Sequence, residues 1–143
     1  MFLVMSITQM NQIEYRPWGS YEVLLDEPNY KVKRIVLNPY ERFSLQYHKG
    51  REEHWVIVEG DGIVQVKHKE YPAIVRSHWV ILPKAIHRAT AGSNGLVFIE
   101  TQTGICKEDD IIRLEDDYGR TDTTQYSYYN TYIENFNIKN VRV

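Results

Sequence analysis

Apolar and β-branched residues recur in short runs from Tyr21 to Thr101, and Gly, Pro, Asn and Asp separate one run from the next. Short runs with turn residues every eight to twelve positions are typical of an all-β sandwich or barrel. We expect a jelly-roll barrel, whose closure limits exposed sheet edges. The predicted strands are Tyr21–Leu25, Lys31–Leu37, Arg42–His48, Glu53–Glu59, Gly62–Lys67, Tyr71–Val75, Trp79–Leu82, His87–Ala89 and Leu96–Thr101.

Two features at the ends of these runs carry structural predictions. Gly60-Asp61-Gly62 predicts a hairpin turn, because Gly and Asp tolerate positive φ. Arg16-Pro17-Trp18-Gly19 precedes the first strand, and its indole is expected to close one end of the barrel as an apolar plug.

Composition fits one domain and excludes several classes of partner. A chain of 143 residues can bury one substantial core. Its 17 basic and 19 acidic residues give a net charge of −2, which offers no field for nucleic acid or an anionic membrane. No apolar run is long enough to span a bilayer. The lone Cys106 cannot form an internal disulfide, which suits a reducing compartment, and we expect a cytoplasmic protein.

The two ends of the chain give weaker predictions. Met1–Met5 is apolar but lacks the features of a signal peptide, and it predicts a strand or a disordered end. Thr121–Val143 is rich in Tyr, Thr and Asn. It is interpreted either as packing against a second subunit or as a partly ordered tail.

Candidate metal ligands occur on two of the predicted strands. Gln46 and His48 are two residues apart, so their side chains share one face of a strand. On the returning strand Glu53 is favoured as a ligand, whereas a register slip of one residue would present His54 instead. His87 completes a set that suits one divalent ion, with zinc, manganese, iron, cobalt and nickel all open. The alternative is that the histidines are only hydrogen-bonded core or surface residues.

These residues also carry a family resemblance. Gln46-x-His48-x4-Glu53-x6-Gly60 resembles the first cupin motif with Gln in place of the usual first His, and Pro83-x-Ala85-x-His87 resembles a shortened second motif. The resemblance implies the cupin double-stranded β-helix, a jelly-roll barrel. It also implies that Gln46, His48, Glu53 and His87 hold the metal.

The flanking motifs narrow the resemblance to the type II phosphomannose isomerase family, which usually forms the C-terminal half of bifunctional mannose-1-phosphate guanylyltransferases. On this basis 1–15 is an N-terminal extension, 16–120 the isomerase-like domain and 121–143 a C-terminal extension of unknown role. The motifs are Arg16–Val23, Tyr30–Ile35, Glu53–Val56, His87-Arg88, Gln102–Gly104, Glu108–Arg113 and Asp117–Arg120.

The sequence departs from the family pattern in three ways. Gly50 stands where the family tends to carry a further His, and the second motif has Ala85 for Gly and is one residue short. The guanylyltransferase half has no counterpart in these residues. A stand-alone isomerase domain is therefore expected, with a separate guanylyltransferase as a candidate partner and a homodimer implied by the resemblance.

The resemblance implies interconversion of mannose 6-phosphate and fructose 6-phosphate through an enediol. His54 or Glu52 is then the candidate base, and the choice between them stays open. Arg88, beside His87, is the first candidate to bind the hexose phosphate and act in catalysis, followed by Arg113 and Lys33.

Two other functions remain open at this point. One is a non-catalytic module that binds a sugar phosphate or sugar nucleotide, which the shortened second motif leaves possible. The other is a metal-dependent oxygenase, against which Gln46 argues. Glu108-Asp109-Asp110 is interpreted as a helix start or a loop pairing with Arg, in preference to a second metal site.

Overall fold

The structure is a computed structural model that describes residues 11–121. Those residues contain no helix and form one curled, antiparallel, nine-stranded sheet, which confirms the all-β prediction. No helix in this range is therefore available to cross a membrane. The strands are β1 (Ile13–Arg16), β2 (Gly19–Glu27), β3 (Tyr30–Leu37), β4 (Leu45–Tyr47), β5 (Arg51–Val66), β6 (Lys69–Ala73), β7 (His78–Ile81), β8 (His87–Gly104) and β9 (Ile112–Glu115).

Two long strands organise the sheet. β5 has 16 residues and β8 has 18, and they pair from Arg51 opposite Gly104 to Val66 opposite His87. β8 also pairs with β3, which is followed in the sheet by β2 and β1, and with β4, which is followed by β9. β5 also pairs with β6 and β7. The β5–β8 pair therefore joins the two halves of the curled sheet.

The hairpin predicted at Gly60-Asp61-Gly62 is wrong, because β5 runs through it as one strand. The register with β8 shifts between Ile57 and Glu59, where Val58 is the extra residue of a bulge. It shifts again between Gly60 and Gly62, which pair with Leu96 and Ala91, so that residues 92–95 of β8 fall outside the register. In the same way, the break predicted between Ala89 and Leu96 lies inside β8. Pairing of β5 with β8 on both sides of each irregularity overrides the local turn preference at both places.

The other strands follow the predicted pattern with shifted ends. β2, β3, β6 and β7 overlap their predicted ranges. The strand predicted at Arg42–His48 shortens to β4 plus an isolated bridge between Arg42 and Thr90. β1 and β9 were not predicted, since four residues are too few to show a period.

The core lies on the inward face of β5, β8 and β3. Trp55 is fully buried and packs on Phe98 with 4.5 Å between ring centroids, and Phe43 meets Trp55 edge-on at 5.8 Å. Trp18 packs against Phe43 at 5.9 Å and is buried, as expected of a plug. Glu53 continues the inward face beyond Trp55. The barrel interior thus changes from apolar to ionic along one strand.

The predicted domain boundaries stay predictions. β1 begins at Ile13, inside the segment assigned to the N-terminal extension. Met1–Met5 and all but the first residue of 121–143 lie outside the described residues.

Replacing Gly60 with Ala tests the close approach of β5 to β8. Gly60 has φ +77°, and an added Cβ would lie 2.1 Å from the Gly95 carbonyl oxygen. Gly119 is a matched control, because it has φ +75° and no atom near an added Cβ. We expect Gly119→Ala to lower the free energy of unfolding by about 1 to 2 kcal/mol, and Gly60→Ala by roughly 2 kcal/mol more.

Urea unfolding measures both values. Equal losses in the two variants would mean that only backbone conformation matters at Gly60.

Candidate metal centre

Three of the predicted ligands meet inside the barrel. His48, just after β4, Glu53 on β5 and His87 on β8 each offer a ligand atom within 4.8 Å of the others. Glu53 Oε1 lies 3.1 Å from His48 Nε2, and Glu53 Oε2 lies 3.5 Å from His87 Nε2. All three side chains are buried. We call this set the triad.

Backbone carbonyls fix the orientation of both imidazoles. His48 Nδ1 lies 2.6 Å from the Asp110 carbonyl oxygen, and His87 Nδ1 lies 2.8 Å from that of Ala85. A carbonyl oxygen only accepts, so each Nδ1 carries a proton and the Nε2 of a neutral ring presents its lone pair to Glu53. Burial lowers the pKa of His87 to about 4, which keeps that ring neutral at pH 7.

The triad fits a bound cation. His87 Nε2 is buried without a hydrogen-bond partner. Burial acts to raise the pKa of Glu53, but the positive charge of Arg51, and of the imidazoles of His48 and His87 in their protonated forms, holds that pKa well below its usual range. An ionised carboxylate and inward lone pairs suit a divalent ion, and this donor set does not choose among zinc, manganese, iron, cobalt and nickel.

The fourth predicted ligand, Gln46, borders the triad through its amide group. Its Nε2 lies 3.4 Å from His48 Nε2, and its Oε1 accepts a hydrogen bond of 2.7 Å from Ser44 Oγ. To offer oxygen to an ion the amide must turn over, and Ser44 Oγ can then accept from it. Gln46 is therefore placed to complete the set after that single change.

Arg51 is a site residue that the sequence prediction missed. Its guanidinium is buried and contacts Glu53 Oε1 at 2.9 Å, His48 Nε2 at 3.2 Å and the Lys107 carbonyl oxygen at 3.0 Å. Its position two residues before Glu53, on the same face of β5, is the signal that would have found it.

A cavity of about 160 Å³ lies next to the triad. Gln46 and Arg51 line it, and both also contact His48. Positive charge dominates its wall, so the cavity suits an anionic ligand. The charged lining residues are the cations Arg16, Lys33, Arg51, Arg113 and Arg120 and the carboxylates Glu100 and Glu108.

The cations of this wall differ in how far they are already paired. Lys33 Nζ lies 2.5 Å from Glu108 Oε1 and 4.2 Å from the Tyr21 ring centroid. Arg120 forms two hydrogen bonds with the Asp116 carboxylate. The Arg113 Nε is buried without a hydrogen-bond partner, and burial and the charge of Arg120 lower the pKa of Arg113. Arg113 thus keeps a donor available to a ligand.

Arg88 is not among the residues that line the cavity. It is buried, and it donates to the Phe43 carbonyl oxygen and to Glu115 Oε2, each at 3.1 Å. Burial lowers its pKa. The geometry therefore gives Arg88 a structural position between β8 and β9, and its role toward substrate stays a prediction.

The two candidate bases lie on the outer face of β5. Glu52 Oε1 is 2.6 Å from His54 Nε2, and the His54 side chain is 48% exposed. Their neighbour Glu53 points inward, as the alternation in the sequence predicted. The structure does not bring Glu52 or His54 to the triad.

The acidic segment forms a loop, one of the two structures expected for it. The Asp110 carboxylate accepts the backbone N–H groups of Lys49 and Gly50 at 2.9 and 2.8 Å, and its carbonyl orients His48. Glu108 pairs with Lys33 and Lys31 in place of the Arg that was expected.

Comparison with solved structures identifies the class of fold. The chain is similar to an RmlC-like cupin from Shewanella frigidimarina, with TM-score 0.64 and 19% identity over 73% of this chain and 92% of that chain. It is also similar to the capsular polysaccharide assembling protein CapF from Staphylococcus aureus, with TM-score 0.66 and 18% identity over 73% and 32% of the two chains. The protein has the cupin fold, as predicted.

Within that class, the family described as mannose-6-phosphate isomerase C-terminal matches residues 5–116, and the chain belongs to it. It is 42% identical over 118 residues to the alginate biosynthesis protein AlgA of Pseudomonas aeruginosa, covering 81% of this chain and 24% of the relative. It is 41% identical over 108 residues to an Escherichia coli mannose-1-phosphate guanylyltransferase, covering 74% and 23%. The chain thus spans about a quarter of these relatives.

Removing either imidazole tests the metal centre. We expect His48→Ala and His87→Ala each to lose bound divalent ion, because only two of the three triad ligands are left in each variant. The barrel should stay folded in both. His78→Ala is the control, since His78 is exposed on β7. Metal content after equilibration and desalting, with circular dichroism for the fold, checks this. Full occupancy in both triad variants would contradict the assignment.

Proposed function

We propose that the protein is a metal-dependent aldose–ketose isomerase that interconverts mannose 6-phosphate and fructose 6-phosphate. The observation that carries the proposal is the triad with its inward lone pairs beside a cavity rich in cations. Membership of the mannose-6-phosphate isomerase C-terminal family supports it.

Isomerisation moves a proton between neighbouring carbons while negative charge develops on their oxygens. His48, Glu53 and His87, with Gln46 after its amide turns, would hold a divalent ion, which would supply Lewis-acid stabilisation of that charge, worth several kcal/mol. Arg51 lies at the edge of the triad and lines the cavity. Its N–H groups are therefore placed to bind a substrate oxygen and to orient the reacting carbons.

Arg113 is our first candidate for the phosphate, because a half-buried guanidinium whose buried Nε lacks a partner binds an anion with little reorganisation. Lys33 is second, since Glu108 already neutralises much of its charge. Arg88, which the sequence placed first, has its donors occupied within the chain. The excess of positive charge in the cavity wall supports a phosphosugar over a neutral sugar.

The cellular role follows from the same proposal. An isomerase of this kind would feed GDP-mannose and polysaccharide synthesis in the cytoplasm, where the lone Cys106 would stay reduced. We propose that it acts together with a mannose-1-phosphate guanylyltransferase and with a second copy of this chain. The names of the relatives, an alginate biosynthesis protein and a mannose-1-phosphate guanylyltransferase, support that setting.

One observation favours a second candidate, a non-catalytic module that binds phosphosugars. The Arg51 guanidinium already contacts Glu53 Oε1 and His48 Nε2, and so supplies a positive charge without an ion. Such a module would bind hexose phosphate equally well with and without metal.

An assay after metal removal tests the proposed function. We expect the stripped protein to be inactive on mannose 6-phosphate and to recover turnover with at least one of Zn, Mn, Fe, Co and Ni under anaerobic conditions. Fructose 6-phosphate formation is the measurement. A folded protein that binds hexose phosphate but stays silent with every ion would favour the binding module.

Substituting Arg113 tests the phosphate assignment. Loss of a hydrogen bond to a charged group costs about 1.5 to 3 kcal/mol, so Arg113→Ala should weaken mannose 6-phosphate binding by roughly 10- to 100-fold. Arg34→Ala is the control, because Arg34 lies on the face of β3 opposite Lys33. Calorimetric titration gives the dissociation constants. Weakening by Arg88→Ala with Arg113→Ala unaffected would restore Arg88 as the phosphate partner.

A further inference from the structure

Glu100 is a buried carboxylate that neither the sequence analysis nor the metal centre accounts for. It lies on β8 and points inward from between Phe98 and Gln102, which share its face. It lines the cavity, and its partners across the sheet are Trp55 on β5 and Lys33 on β3. A carboxylate thus faces the space where a substrate would bind.

Trp55 holds Glu100 beside the triad. The indole Nε1 donates to Glu53 Oε2 and to Glu100 Oε2, each at 3.1 Å. Gln102 Nε2 donates to the other oxygen of Glu100 at 2.6 Å. Both donors are neutral, and each carboxylate oxygen keeps a further lone pair for a proton. Glu100 is therefore fixed in position while its oxygens can still accept from a ligand.

The surroundings of Glu100 suit a group that gains and loses a proton near neutrality. Burial and the charge of Glu53 raise the pKa of Glu100 to about 7, against the opposing charges of Lys33 on β3 and Arg51 on β5. Gln102 on β8 is uncharged, and its Oε1 is buried without a hydrogen-bond partner. With its amide turned over, Gln102 can accept from a protonated Glu100, so one neighbour serves both states.

The other carboxylate of the cavity is less suited to this task. Glu108 forms an ion pair of 2.5 Å with Lys33. Burial acts to raise the pKa of Glu108, but the hydrogen bond and charge of Lys33 hold it below its usual value. A base that is already paired with a cation is a poor proton acceptor.

We propose that Glu100 carries the proton between the two reacting carbons, an inference that rests on the proposed isomerase function. The carboxylate removes the hydrogen on C2 of the open-chain aldose as a proton. The C–H electron pair forms the C1–C2 double bond, and the carbonyl pair moves to O1. The hydroxyl proton then passes from O2 to O1, the carbonyl forms at C2, and C1 takes the proton back from Glu100. No atom or electron is gained or lost.

Glu100→Gln tests this role, because the amide keeps the size of the side chain and an oxygen for Trp55 but cannot accept the proton. We expect turnover to fall by roughly 10²- to 10⁴-fold. Exchange of the C2 hydrogen with deuterated solvent, followed by proton magnetic resonance, should fall by the same factor. Metal content and the dissociation constant for mannose 6-phosphate should stay within about threefold of the starting protein. Glu70→Gln, an exposed carboxylate on β6, is the matched control.

Two results would overturn the inference while leaving the isomerase function intact. One is a Glu100→Gln variant that keeps more than a tenth of the turnover and of the C2 exchange. The other is loss of turnover together with metal or with hexose phosphate binding, which would make Glu100 structural. If the unaltered protein turns over no hexose phosphate with any ion, the proposed function itself fails and the role of Glu100 falls with it.

Discussion

The buried charge of Glu53 is the constraint on which the rest of the interior depends. An ionised carboxylate that is 1% exposed is tolerated only when its neighbours replace the lost water. Arg51 and Trp55 donate to it from the same strand, and the imidazoles of His48 and His87 face it from the end of β4 and from β8. The ionic end of the barrel is therefore assembled around one side chain.

The Arg51 guanidinium and an ion bound in the triad would compete for the same acceptor atoms around Glu53. Arg51 occupies Glu53 Oε1 and His48 Nε2, whereas His87 Nε2 faces the other oxygen without a partner. A bound ion would take over these acceptors and repel the guanidinium toward the cavity that Arg51 already lines. Occupation of the triad would thus free cationic donors on the wall where an anionic substrate would lie.

Local pattern predicted much of this arrangement, and long-range pairing explains what it missed. Alternation along β5 placed Glu53 and His54 on opposite faces and favoured Glu53 as the inward residue, and the cupin-like spacing indicated His48 and His87. The sequence could not show that Arg88 donates hydrogen bonds to the Phe43 carbonyl oxygen and to Glu115. Glu115 lies on β9, a strand too short to predict. Glu100 was missed although it lies within a predicted strand, because its importance depends on which strands enclose the cavity.

Trp55 divides two carboxylates into different roles. Its ring packs on Phe98 in the apolar core, and its single N–H is shared by Glu53 and Glu100. Glu53 lies beside a guanidinium and two imidazoles and stays ionised, whereas Glu100 has only neutral donors in contact and a pKa of about 7. Neighbouring carboxylates whose pKa values are driven apart mark a division between binding and proton transfer. Arg51 on β5 contacts Glu53 and compensates its charge. Among the described residues Glu100 has no cation in contact, so it is the carboxylate suited to exchange protons.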